Sequence, residues 1–176
     1  DGVTAGEIGI SRRLLRPAAI AVVCVVLALN AVVVGIALLA GNEISIGVYA
    51  FYQAEPFDFS MTTIAAGAFT TYVFTGPVEE LAFRGYLQNK LVSLFDFGSL
   101  RVRTATSIVV TGLTFSMLHV PVAVLVDGME VSQLAGTLVL LALSGMVFGT
   151  IYALTQNLSL VILLHGVGNF WPLVVD

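Results

Sequence analysis

Long stretches without charge alternate along the chain with short polar connections. The first, Pro17 to Ala40, holds no charged residue and exceeds the roughly 20 apolar residues a bilayer crossing needs. Apolar runs follow at Met61 to Leu87, which alone holds charged residues, and at Thr104 to Val126, Gln133 to Thr155 and Leu158 to Val175. None carries the continuous polar face of a helix lying on a soluble core. The pattern predicts an all-α, polytopic transmembrane helix bundle of about five spans, in one membrane-embedded domain over 1–176. Residues 1–16 form an N-terminal stub. Within the second run, Gly76-Pro77 predicts a kink, because proline removes a helical donor and crowds the preceding turn. The first run is too long for a signal-peptide core and reads as a retained helix. The chain opens on Asp1 without an initiator Met, which reads as a trimmed product. No internal repeat supports an inverted-repeat transporter.

The basic residues orient this bundle. Arg12, Arg13 and Arg16 precede the first run, and Lys90, Arg101 and Arg103 follow the second. Glu43, Glu55, Asp58, Asp127 and Glu130 occupy the alternate connections. With a cytoplasmic N-terminus, every basic residue outside a span falls on the inner side, as the positive-inside rule requires.

Composition agrees. The chain is 58% hydrophobic and only 10% charged, against about 25% charged for soluble domains, and its mean hydropathy is +1.01. The net charge of −4 is mild, and seven basic residues with no interleaved aromatic patch argue against nucleic acid as a partner. Cys24, the single cysteine, lies in the first span and reads as a small buried hydrophobe. The implied partner is the lipid bilayer. The excess of Arg over Lys and the acidic connections fit a microbial plasma membrane.

Against this background the polar residues inside the spans stand out. An ionisable group at membrane depth costs about 2.5–3.5 kcal/mol on insertion scales, so it persists where it faces protein or a wet cavity. Glu79, Glu80 and Arg84 lie on the second span, His119 on the third, and His165 and Asn169 on the fifth. Both histidines of the chain are within spans. Glu80 and Arg84, four apart, share a helix face, and Glu79 is turned about 100° from Glu80. Phe115 and His119 repeat the four-residue spacing, as do His165 and Asn169. Three helices can thus converge one acid, two imidazoles and a carboxamide on one cavity. Taken singly, each feature has a plainer reading: Glu80–Arg84 as an interfacial ion pair, His119 as a packed residue, Phe115 as its packing partner, His165 and Asn169 as interhelical glue. Helical rise places Glu79 and His165 in the cytoplasmic half of the membrane and His119 deeper, which favours a cavity opening to the cytoplasm.

The order of "EELAFR" (Glu79 to Arg84), "FSMLH" (Phe115 to His119) and "HGVGN" (His165 to Asn169) resembles the intramembrane proteases of the CAAX-protease and bacteriocin-processing family. The likeness covers about Met61 to Phe170, with no departure at the motif positions. The chain is short for the family, so flanking helices are expected to be missing or never present. The resemblance implies an intramembrane endopeptidase acting on membrane-associated peptides or protein tails. In it Glu79 is the general base that activates a water, His119 its partner in holding that water, and His165 with Asn169 the oxyanion donors. Glu80 and Arg84 orient the site from behind, with Phe115 as support.

Two cofactor states stay open. Glu79, His119 and His165 match a set of three zinc ligands plus water, whereas the HExxH signature is absent and a metal-free glutamate mechanism needs none. The second reading is a catalytically silent membrane scaffold that binds a partner or oligomerises around the same site. A third is a proton-coupled transporter, since membrane Glu/His pairs also relay protons.

Overall fold

The computed structural model describes residues 4, 6, 8–41, 47–50 and 61–173. Glu43, Glu55 and Asp58, the acids of the expected outer side, and 174–176 at the end of the expected fifth span lie outside the described residues. Helix dominates what is described. Three stretches, Arg12–Ala40, Leu100–Leu125 and Val131–Thr155, are long and apolar enough to cross a membrane. The chain divides into two compact units, one of residues 1–79 with 159–176 and one of residues 80–158.

The first unit starts with α1 (Arg12–Ala40), capped by Ser11, whose hydroxyl accepts from the Leu14 amide. It stops at Gly41, whose φ of 76° lets its N–H reach the carbonyls of Ala37 and Leu38. Leu27, Ile36 and Leu39 of α1 are exposed, which lipid satisfies and water would not. Cys24 is exposed rather than buried, because the helix turns it towards the same apolar surroundings. After β1 (Gly47–Ala50), helix resumes as α2 (Met61–Phe69), π1 (Thr70–Thr75) and α3 (Gly76–Glu80). The expected kink at Gly76-Pro77 takes the form of a widened turn. Pro77 has no N–H and its ring crowds the Val73 carbonyl; wider bonding, with the Gly76 N–H on the Thr71 carbonyl, accommodates both.

α8 (Leu158–Asn169) belongs to this unit from Ser159 onward. Here the expected fifth span is shorter than predicted. Twelve helical residues reach only about 18 Å, against a hydrocarbon core of about 30 Å. The helix gives way at Asn169 to β2 (Phe170–Leu173), which pairs antiparallel with β1 in the register Gly47–Leu173 to Ala50–Phe170. Pro172 follows closely and cannot continue a helix. This one short pair interrupts the otherwise all-α pattern of the described residues.

The second unit holds π2 (Leu81–Gln88), α4 (Asn89–Leu94), α5 (Leu100–Leu118), α6 (Val120–Leu125) and α7 (Val131–Thr155). The expected second span is therefore a succession of α and π segments from Met61 to Leu94, not one regular helix. Ser99 caps α5 and Glu130 with Gln133 forms a capping box on α7. α5 and α7 touch backbone to backbone at Gly112: a Cβ there would stand 3.0 Å from the Ala142 carbonyl and 2.8 Å from Met146 Cγ. Ser116 donates to the Leu138 carbonyl at 2.7 Å, tying the same two helices higher up. The expected third span breaks at His119, two residues before Pro121, since the proline leaves the Met117 carbonyl without its helical donor.

Candidate active site

Sequence spacing sets the second unit's polar interior. Glu80 and Arg84 are four residues apart and their side chains are both fully buried, with Nη1 donating to Oε1 at 2.8 Å. Arg84 Nη2 donates to the Gly145 carbonyl at 2.9 Å. One turn on, Gln88 Nε2 donates to the Gly149 carbonyl at 3.0 Å. Two long polar side chains spaced by four thus meet two glycine carbonyls spaced by four. A Cβ on Gly149 would lie 2.8 Å from Gln88 Oε1, so the glycine is what admits the carboxamide. Three rings surround the guanidinium, with Phe115, Phe148 and Phe83 centroids at 5.2, 5.7 and 6.0 Å. A buried charge needs this much compensation, because desolvation otherwise outweighs the attraction within the pair.

Phe115 links this cluster to His119. Its ring packs 4.5 Å from the imidazole and edge-on to Phe83 at 5.1 Å. Its carbonyl lies 2.7 Å from His119 Nδ1. A carbonyl only accepts, so Nδ1 carries the hydrogen, and of the two neutral tautomers this selects the one with its lone pair on Nε2. The break at His119, with φ −84° and ψ −13°, holds the ring where this bond forms.

In the first unit, Glu79 and His165 approach each other. His165 Nε2 stands 3.5 Å from Glu79 Oε2, with the imidazole 4% exposed and the carboxylate 25% exposed. That separation is too long for a good hydrogen bond. Glu79 Oε2 has no hydrogen-bond partner among the described residues. Side chains lean towards the N-terminus of their own helix. α3 and α8 make close contact at Gly76, whose Cβ would lie 3.3 Å from the Ile162 carbonyl, and Glu79 and His165 lie C-terminal to that contact on their own helices. Asn169, four residues beyond His165 and partly exposed, closes α8.

The structure thus brings Glu79 together with His165 and places Asn169 on the same helix. It also brings Glu80, Arg84, Phe115 and His119 into one cluster. The unit boundary falls between Glu79 and Glu80. Two of the three expected metal donors, Glu79 and His165, face each other; among the described residues no group of three His, Cys, Asp or Glu side chains stands within metal-holding reach. Gln88 escaped the sequence reading, although its spacing from Arg84 and the "GMVFG" pattern of Gly145 and Gly149 were available signals.

A family model described as type II CAAX prenyl endopeptidase Rce1-like matches residues 60–171. No curated protein and no solved structure matches the chain.

Proposed function

Because the chain belongs to the Rce1-like family of type II CAAX prenyl endopeptidases, we propose that it is an intramembrane endopeptidase that uses Glu79 to activate water against a peptide carbonyl. The observation that carries this reading is the 3.5 Å approach of Glu79 Oε2 to His165 Nε2, with the Glu79 side chain still a quarter exposed. A water seated on Glu79 gives its proton to the carboxylate as its oxygen attacks the scissile carbon. His119, with its lone pair on Nε2, holds the same water by accepting its second hydrogen. The carbonyl oxygen becomes an oxyanion and takes hydrogen bonds from His165 Nε2–H and the Asn169 amide. Glu79 then returns the proton to the leaving amine, the C–N bond breaks, and the carboxylate is regenerated. Two donors aimed at a developing oxyanion in a site sheltered from bulk water lower the barrier, each typically by about 2.7–4 kcal/mol.

Glu80, Arg84 and Phe115 support this chemistry without joining it, by fixing the helix that presents the acids and the ring of His119. The substrates are peptides or protein tails reaching a cavity that opens to the cytoplasm of a microbial plasma membrane. A divalent cation such as zinc is an alternative use of Glu79, His119 and His165, in which the metal would polarise the water. Cleavage of a peptide panel by detergent-purified protein, with and without a chelator, tests both. Activity that survives the chelator and disappears in Glu79→Ala and His119→Ala supports the glutamate mechanism. Activity lost with the chelator and restored by zinc supports the metal. No cleavage by the wild type on any peptide overturns the protease reading and leaves the binding role.

A further inference from the structure

Tyr72 sits in the π1 turn, partly exposed, and no sequence motif includes it. Its ring lies directly against Gly166 of α8, the residue next to His165. A Cβ on Gly166 would overlap the Tyr72 ring edge at Cε1 and Cδ1 and stand 2.9 Å from Cζ. No rotation of a methyl group relieves such an overlap; either the ring or the helix has to move. Tyr72 lies in the widened turn, and Gly76 and Glu79 follow it in α3. All three meet α8: Tyr72 at Gly166, Gly76 at the Ile162 backbone, and Glu79 at His165. The contacts at Gly166 and Gly76 are close enough to hinder movement of α8 along this segment.

We propose that Tyr72 is a positioning residue for the Glu79–His165 pair. Its ring is a wedge seated in the notch left by Gly166, and it sets the register in which α8 presents His165 and Asn169 to the acid. This inference rests on the endopeptidase reading above. The side chains of a wedge and its notch are interdependent, so a methyl added to the notch should be tolerated only when the wedge is cut back. A displacement of about 1 Å at reacting groups can cost about 100-fold in rate.

The experiment uses full-length protein in detergent and four variants: Tyr72→Phe, Tyr72→Ala, Gly166→Ala and the Gly166→Ala/Tyr72→Ala pair. Tyr72→Phe keeps the ring and should keep at least about tenfold more activity than Tyr72→Ala. Tyr72→Ala and Gly166→Ala should each lower kcat by about 100-fold while KM changes little. The pair should recover about tenfold over Gly166→Ala alone, because the methyl then enters space the ring has left. Tyr72→Leu, which keeps more of the side-chain volume, replaces the alanine variant if that fails to fold.

A second readout does not need turnover. Only two histidines exist, so ¹⁵N-histidine labelling gives two imidazole signal sets, assigned by substituting His119. Tyr72→Ala and Gly166→Ala should move the His165 signals, as Glu79→Gln should, and leave those of His119 in place. Unmoved His165 signals in Tyr72→Ala, or losses from the two substitutions that simply multiply in the pair, would overturn the proposal. A wild type that cleaves nothing defeats the protease reading alone, and the imidazole signals still decide the wedge.

Discussion

Glu79 and Glu80 differ by one position and by almost everything else. Glu80 is wholly buried, bonded at 2.8 Å to an arginine that is itself wholly buried, bonded to Gly145 and ringed by phenylalanines. Glu79 keeps a quarter of its side-chain surface open, and its inner oxygen faces His165 at 3.5 Å without a hydrogen bond. One is a closed arrangement in the second unit and the other an open one in the first. In an apolar setting, full burial against an opposite charge marks a carboxylate retained for architecture. A carboxylate with a quarter of its surface open beside an imidazole is free to meet water, which is the use proposed for it above. Consecutive acids in one motif can thus serve opposite ends.

The comparison can be broken from either side. On the open side, Asn169→Ala removes one of the two proposed oxyanion donors and should lower kcat by about 100- to 1,000-fold, with melting unchanged, measured by peptide cleavage and thermal scans. On the closed side, Arg84→Met strands the Glu80 carboxylate and should cost about 3–5 kcal/mol of stability, read from denaturation in detergent. Replacing Glu80 by Leu in the same chain should return much of that loss, since removing both charges is less harmful than removing one.

Smaller substitutions sharpen the contrast. Gly149→Ala drives a methyl group into Gln88 Oε1, 2.8 Å from the position of its Cβ. The expected loss is about 1–3 kcal/mol of stability, typical of overpacking, with little change in kcat per folded molecule. Tyr152→Phe removes the hydroxyl that accepts from Asn89 Nδ2 at 3.0 Å. Because Asn89 is exposed, the loss should be only about 0.5–1.5 kcal/mol, seen as a slight drop in melting temperature.

What the sequence disclosed follows from which forces are local. Helix spacing alone placed Glu80 on Arg84 and Phe115 on His119, and the structure shows both pairs in contact. Uninterrupted apolar runs marked the three membrane-length helices. The widened turns at Thr70–Thr75 and Leu81–Gln88 were not legible, because a π turn is a compromise between a local defect such as Pro77 and packing on a distant helix. The end of α8 at Asn169 was hidden for a similar reason: residues 170–173 are as apolar as the helix before them, and their strand depends on pairing with residues 47–50. The reciprocal fit of Arg84 and Gln88 to Gly145 and Gly149 was available as two separate four-residue spacings. Joining them required knowing that π2 and α7 are neighbours. Tyr72 left no signal at all, since a ring meeting a glycine looks like any aromatic in an apolar run.

The most direct measurement sets Glu79→Gln beside Glu80→Gln, recording peptide turnover and thermal midpoint on the same preparations. General-base loss should lower turnover of Glu79→Gln by about 100- to 10,000-fold while its midpoint stays with the wild type, and Glu80→Gln should melt at a clearly lower temperature. A Glu79→Gln protein that still turns over peptide like the wild type, or that melts as early as Glu80→Gln, would contradict the division of labour between the two acids.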